Sequence, residues 1–132
     1  MSINLIRSDS LYEGAPYAYA SVAPLGSLIF TAGACPLDDK GEVVGAGDVR
    51  AQASLAVANL STALAASGAT LADVLKTTIF VASAEQADLV SAWQVIEEAF
   101  GDHDPPSTLL GVTVLGYSGQ LVEIEAVAVV AG

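Results

Sequence analysis

Between Gln120 and Val130 the chain alternates without a break. Val122, Ile124, Ala126, Ala128 and Val130 form one wholly apolar series, and Leu121, Glu123, Glu125, Val127 and Val129 form the other. Side chains alternate across a strand, so the first series predicts the face beneath packed helices and the second an outer face. Upstream the period lengthens: Val57, Leu60 and Leu64 recur at spacings of three and four, one stripe of a helix from Asp48 to about Ser67. Asp48 can accept the unpaired amides of the first turn, and Gly68 supplies a left-handed stop. A second helix carries Leu89, Trp93, Ile96 and Phe100, opens on a capping box of Ser83 and Gln86, and closes at Gly101.

Three further strands are expected. Ser27 to Ala34 follows Gly26, and Lys76 to Ala82 follows a one-turn capping box of Thr70 and Asp73. Ser107 to about Leu115 starts only after Pro105 and Pro106, because proline cannot donate to a ladder. Asp38-Asp39-Lys40-Gly41 and Gly116 to Gly119 read as turns. With an N-terminal hairpin, the order β, helix, β, helix, β, β predicts an α+β architecture, two helices on one face of a mixed sheet. No internal repeat, charge run or low-complexity linker divides residues 1–132, so a single domain is expected.

Composition adds constraints. Four Lys plus Arg stand against fifteen Asp plus Glu, a net charge of −11, and Arg7, Lys40, Arg50 and Lys76 are scattered along the chain. Nucleic acid needs clustered cations, so it is not an expected partner. Charged residues make up only 14%, against roughly 25% in an average soluble domain. So few charges on so small a domain imply that another subunit covers part of its surface, and a homo-oligomer is expected. Met1 to Ser10 show no basic start followed by an apolar run, so no secretory signal is read there. The uncharged stretches Gly14 to Leu37 and Ala51 to Ala72 are interrupted by prolines and glycines, or by Gln52, Asn59 and hydroxyls; neither reads as a membrane span. Cys35, the one cysteine, lies between Ala34 and Pro36 and reads as a buried inert thiol in a reducing cytoplasm.

Candidate chemistry sits on the last strand. Glu123 and Glu125 share its outer face, roughly 7 Å apart, too far to share a proton but close enough to line one cleft. Desolvation by apolar neighbours suits a carboxylate to acid or base work near neutral pH, whereas the competing reading is an ordinary solvated face. His103 has no spaced His or Cys partner and reads as a loop or C-cap residue. Trp93 reads as a core or oligomer contact, and Tyr12, Tyr17 and Tyr19 could lend phenols to a pocket. No phosphate-binding loop, dinucleotide fingerprint or zinc spacing occurs, so neither a nucleotide nor a metal cofactor is implied.

Several segments taken together resemble the RidA/YjgF family of reactive-intermediate deaminases. They are Ala15-Pro16-Tyr17, Leu28 to Gly33, Pro36-Leu37-Asp38 with Gly41 to Val44, Gln52, Asn59, Ala66-Ser67-Gly68, Asp73 to Val81, Ala99-Phe100-Gly101 and Val122 to Ala128. The resemblance spans nearly the whole chain, and Lys76-Thr77-Thr78 and Val122-Glu123-Ile124-Glu125-Ala126 are its most specific parts. It implies a chorismate-mutase-like α+β fold, a homotrimer with three clefts between subunits, and cofactor-free hydrolysis of imines or enamines. It makes Glu123 the base that positions the attacking water and Tyr17 a wall of the pocket.

The departures change the expected substrate. Pro106, within Asp104-Pro105-Pro106-Ser107-Thr108, stands where the family carries an arginine for the substrate carboxylate. Ala32 stands at a common pocket serine, Ala34 at a frequent glutamine and Trp93 at an asparagine. Losing the bidentate partner of a carboxylate forfeits about 2 to 5 kcal/mol and leaves Glu123 to repel an anion. A neutral or cationic imine is therefore expected in place of an amino-acid-derived imino acid, bordered by Tyr17, Ala32, Trp93, Pro106, Ser107 and Thr108. Arg7 or Arg50 would have to reach the cleft from elsewhere to restore the charge. The alternative is a trimer that binds a small apolar or cationic ligand without turnover. RNA cleavage, historically attached to the family, conflicts with the charge of −11.

Overall fold

Six strands form two sheets in the computed structural model, which describes residues 3–131. β1 (Asn4–Ile6) and β2 (Ala20–Val22) make an antiparallel ribbon, the expected N-terminal hairpin. The main sheet has the order β3 (Gly26–Phe30), β6 (Val122–Ala131), β4 (Val74–Val81), β5 (Ser107–Gly111). β4 and β5 run parallel and the other neighbours antiparallel, so the sheet is mixed. α1 (Val49–Ala66) and α2 (Gln86–Phe100) pack on one of its faces.

Local sequence explains most of these elements. Asp48 accepts from the Ala51 amide and starts α1, whose Val57, Leu60 and Leu64 are buried. Thr70 and Asp73 make their reciprocal capping box, and Gly68 and Gly101 take φ of 87° and 64° just beyond the two helices. Leu60 and Leu64 meet Ile79, Val122, Ile124 and Ala128 of the sheet, all fully buried, with Ile96 of α2 alongside. Burying each such side chain contributes about 1.5 to 3 kcal/mol. The helix-side series of β6 is the one the alternation specifies, and the helices on one face of a mixed sheet are as expected.

Several boundaries differ from expectation; β4 opens at Val74, two residues before Lys76, and ends at Val81. Ser83 is not the cap of α2: the chain enters the helix at Glu85, and the Ser83 hydroxyl accepts from the Glu85 amide and donates to Asp88. β5 ends at Gly111 and not near Leu115, because its parallel partner β4 ends at Val81 and no ladder continues beyond it. β6 begins at Val122; Gln120 lies before it, buried in the preceding loop. β3 stops at Phe30, where a bulge intervenes. The Thr31 amide still bonds Ala126, but the next bridge joins Ala34 to Ile124, so Ala32 and Gly33 together face the single residue Glu125. Among the described residues, no helix is long and apolar enough to cross a membrane.

Candidate active site

The two sheet faces divide the chemistry. Pairing across the ladders puts Leu28, Phe30, Lys76, Thr78, Phe80, Thr108, Leu110, Glu123 and Glu125 on the face away from the helices. Leu28 and Phe30 are 53% and 73% exposed there.

Glu123 is half-buried on that face and held at one oxygen. Gln120 Nε2 donates to its Oε1 at 3.1 Å, and the Cys35 thiol lies 3.3 Å from the same atom. The bulge sets Gly33 beneath the other end of the carboxylate; a β-carbon on Gly33 would collide with Oε2. Burial, then the hydrogen bond and charge of Glu123, push the Cys35 thiol up to about 11, partly offset by Gln120. Cys35 is therefore a neutral donor near neutral pH, in line with its expected inertness as a nucleophile. Its contact with Glu123, and the role of Gln120, have no counterpart in the sequence reading.

Tyr17, Trp93, Ser107 and Thr108 do come together. With Pro16 and Leu109 they line a groove of about 400 Å³ along the β5 edge. Tyr17 meets Trp93 edge-to-face at 6.2 Å and Tyr19 at 5.8 Å. Ser107 spends its hydroxyl proton on the Pro105 carbonyl and accepts from Thr77, whereas Thr108 accepts from Lys76 Nζ at 2.6 Å. Pro106 is half-buried, its carbonyl accepting from the Thr77 amide, and Ala32 is exposed in the bulge. Tyr19 donates its phenol to the Tyr12 carbonyl, so it braces the hairpin.

Within one protomer Glu123 does not reach this groove. Its register partner across β4 is Leu110, three residues along from Ser107 on β5. Two strand spacings alone are about 9.5 Å, and with the three-residue offset Ser107 lies about 14 Å away. Glu125 borders a hollow with Phe30, Thr31, Lys76, Thr78 and Val127, and Glu123 does not line that hollow. Neither arginine is directed at Glu123. Arg7 pairs with Asp104 at 3.1 Å and donates to the Ala15 and Tyr17 carbonyls, and Arg50 donates to Ser91 and Gln94 of α2. Lys76, which the sequence reading did not single out for this role, lies one hydrogen bond from the groove through Thr108, as Arg7 does through the Tyr17 carbonyl. Burial lowers the Lys76 pKa from the ordinary lysine value. His103 is structural, its Nε2 donating to the Val74 carbonyl at 2.7 Å while the ring stacks on Phe100. Among the described residues no cluster of three or more His, Cys, Asp or Glu suits a metal ion.

The mixed α+β fold that carries this acid and groove is shared with known proteins. The family described as Endoribonuclease L-PSP matches residues 9–130. The 2-iminobutanoate/2-iminopropanoate deaminase of Salmonella typhimurium is 35% identical over 123 residues, covering 89% of this chain and 93% of its own. Among solved structures, the Rid-family protein YyfB of Yersinia pestis superposes with a TM-score of 0.90 at 29% identity, covering 98% of this chain and all of its own. Escherichia coli TdcF with bound serine gives 0.70 at 28% identity, over 97% and 99% of the two chains. The chain belongs to the RidA/YjgF family.

Proposed function

We propose that this protein hydrolyses small neutral or cationic imines or enamines, without a cofactor, at clefts between the subunits of a homotrimer. The carrying observation is the carboxylate of Glu123, anchored at Oε1 on an outward-facing, partly apolar sheet surface. A closed ring of copies would set that acid against the Tyr17–Trp93 groove of the next subunit and cover Leu28 and Phe30. The deaminase relative supplies the reaction class.

An enamine first tautomerises to its imine by taking a proton at carbon. Glu123 then takes a proton from water as the oxygen bonds to the imine carbon, the C=N π pair moves to nitrogen, and Glu123 passes that proton to nitrogen. The carbinolamine hydroxyl gives its proton through Glu123 to the same nitrogen as the C=O bond forms and the C–N bond breaks, so that ammonia or an amine leaves a carbonyl product. Aromatic walls and an acid suit a cationic nitrogen, as does the net charge of −11. That charge also argues against RNA as substrate.

The test sets imines lacking a carboxylate beside 2-aminoacrylate generated in situ. Turnover of the former above background, lost in Glu123→Gln, is expected. Efficient turnover of 2-aminoacrylate that disappears in Lys76→Met would overturn the substrate class and make Lys76 the carboxylate anchor. Tight binding of small cations with no turnover of any imine would leave the non-catalytic trimer as the correct reading.

A further inference from the structure

Glu123 is supported by two side chains that the hydrolytic mechanism has not used. We propose that Cys35 and Gln120 are positioning residues for Glu123, anchoring Oε1 so that Oε2 is the oxygen that takes the proton from water. The inference rests on the hydrolytic reading and adds to it which atoms make the acid directional.

Both donors meet the same oxygen, at 3.3 and 3.1 Å. Gln120 is 3% exposed and held at both ends of its amide. Its Nε2 also donates to the Val122 carbonyl at 3.1 Å, and its Oε1 accepts from the Tyr117 amide at 3.2 Å. The loop that carries it is held from α1: Gln52, fully buried, donates to the Gly119 carbonyl and accepts from the Leu121 amide on either side of Gln120. The same helix holds the other donor, since Asn59 Nδ2 donates to the Cys35 carbonyl at 2.8 Å and to that of Leu37 at 3.0 Å. Two buttresses from one helix thus converge on one carboxylate oxygen. Gly33 makes room for Oε2 itself, which occupies the place a β-carbon would take. Both hydrogen bonds to the carboxylate fall on Oε1, and among the described residues none falls on Oε2; a carboxylate with one oxygen committed in this way is preorganised for a single proton-transfer direction. The neutral thiol makes Cys35 fit for donation and unfit for attack.

The experiment compares Cys35→Ala, Cys35→Ser and Gln120→Ala with the unaltered protein. Removing either donor is expected to lower kcat about 5- to 30-fold with KM within about twofold, the pattern of misplaced catalytic groups. Cys35→Ser, whose hydroxyl also donates, should stay within about threefold. A second readout does not depend on turnover: the rate of Cys35 alkylation by iodoacetamide across alkaline pH. Its midpoint near 11 should fall in Glu123→Gln, which removes the carboxylate facing the thiol. The proposal is overturned if Cys35→Ala and Gln120→Ala lower Tm but leave kcat intact, or if Glu123→Gln leaves the thiol midpoint where it was. Absence of imine turnover in the unaltered protein would refute the hydrolytic reading and this proton-transfer role with it. A thiol midpoint that still fell in Glu123→Gln would then place the fault in the chemistry assigned and not in the contact.

Discussion

The carboxylate of Glu123 rests against the α-carbon of Gly33, where a β-carbon would stand 2.6 Å from the carboxyl carbon. The contact exists because the bulge after β3 adds one residue opposite Glu125, carrying Gly33 under the acid. Gly33 has no positive φ, so backbone strain does not enter. Gly33→Ala should therefore fold, losing about 1 kcal/mol while the carboxylate swings away. Imine turnover should fall by about 10²-fold, as a displacement on the order of 1 Å implies. Thermal unfolding beside kcat/KM checks it; an active Gly33→Ala would show that the orientation seen is not the working one.

Gln52 couples stability to the site. Its amide bonds the Gly45 and Gly119 carbonyls and the Leu121 amide from a fully buried position. Gln52→Leu keeps the volume but strands all three partners, at about 3 kcal/mol or more. Urea unfolding should show a lower midpoint at unchanged slope. Activity should drop further than the folded fraction accounts for, because Gln120 sits between two of those partners.

Alkaline stability carries a signature of Cys35. The folded thiol keeps its proton to about 11 and the unfolded thiol loses it near 9.0, so between those values the folded state binds more protons. The thiol's contribution is fully present below about pH 9 and is lost as pH rises through about 11. Lys76 acts in the opposite sense. Its folded pKa is lowered, so the unfolded amine holds more protons just below 10.5 and stability from this group rises with pH. Comparing the unaltered protein with Cys35→Ser isolates the first effect: the unaltered protein should lose stability more steeply across that window.

If the two halves of the site belong to neighbouring subunits, two inactive variants can restore each other. Co-refolding Glu123→Gln with Tyr17→Ala in equal amounts should return about a quarter of the unaltered activity, because random mixing makes that share of clefts intact on both sides. No recovery would mean that both residues serve the same cleft from one chain.

The exposed pair Leu28 and Phe30 makes a parallel prediction. Phe30→Asp, on a 73% exposed side chain, should leave the protomer folded yet shift sedimentation from three chain masses to one, with activity lost together with assembly. Unchanged sedimentation would place the interface elsewhere.

Within a single segment the chain states its own structure. The alternation of β6, the stripe of α1, the caps at Asp48 and Thr70 and the glycine stops at Gly68 and Gly101 depend on neighbours a few residues away, and all stand as written. An element end that depends on a distant partner did not, since β5 stops with β4; the start of α2 differs for a local reason, the Ser83 hydroxyl serving Glu85 and Asp88 within five residues. The candidate acid Glu123 is legible as one of two glutamates on an otherwise apolar strand. Cys35, 88 residues away in the chain, gave no local signal of meeting it, and neither did Gln120, whose polarity in a loop is unremarkable. Periodicity and capping are short-range and survive in any fold that keeps the segment. Which donor faces which oxygen is set by a one-residue bulge and by two side chains of a distant helix, and those arise only when the sheet register and the helix packing form together.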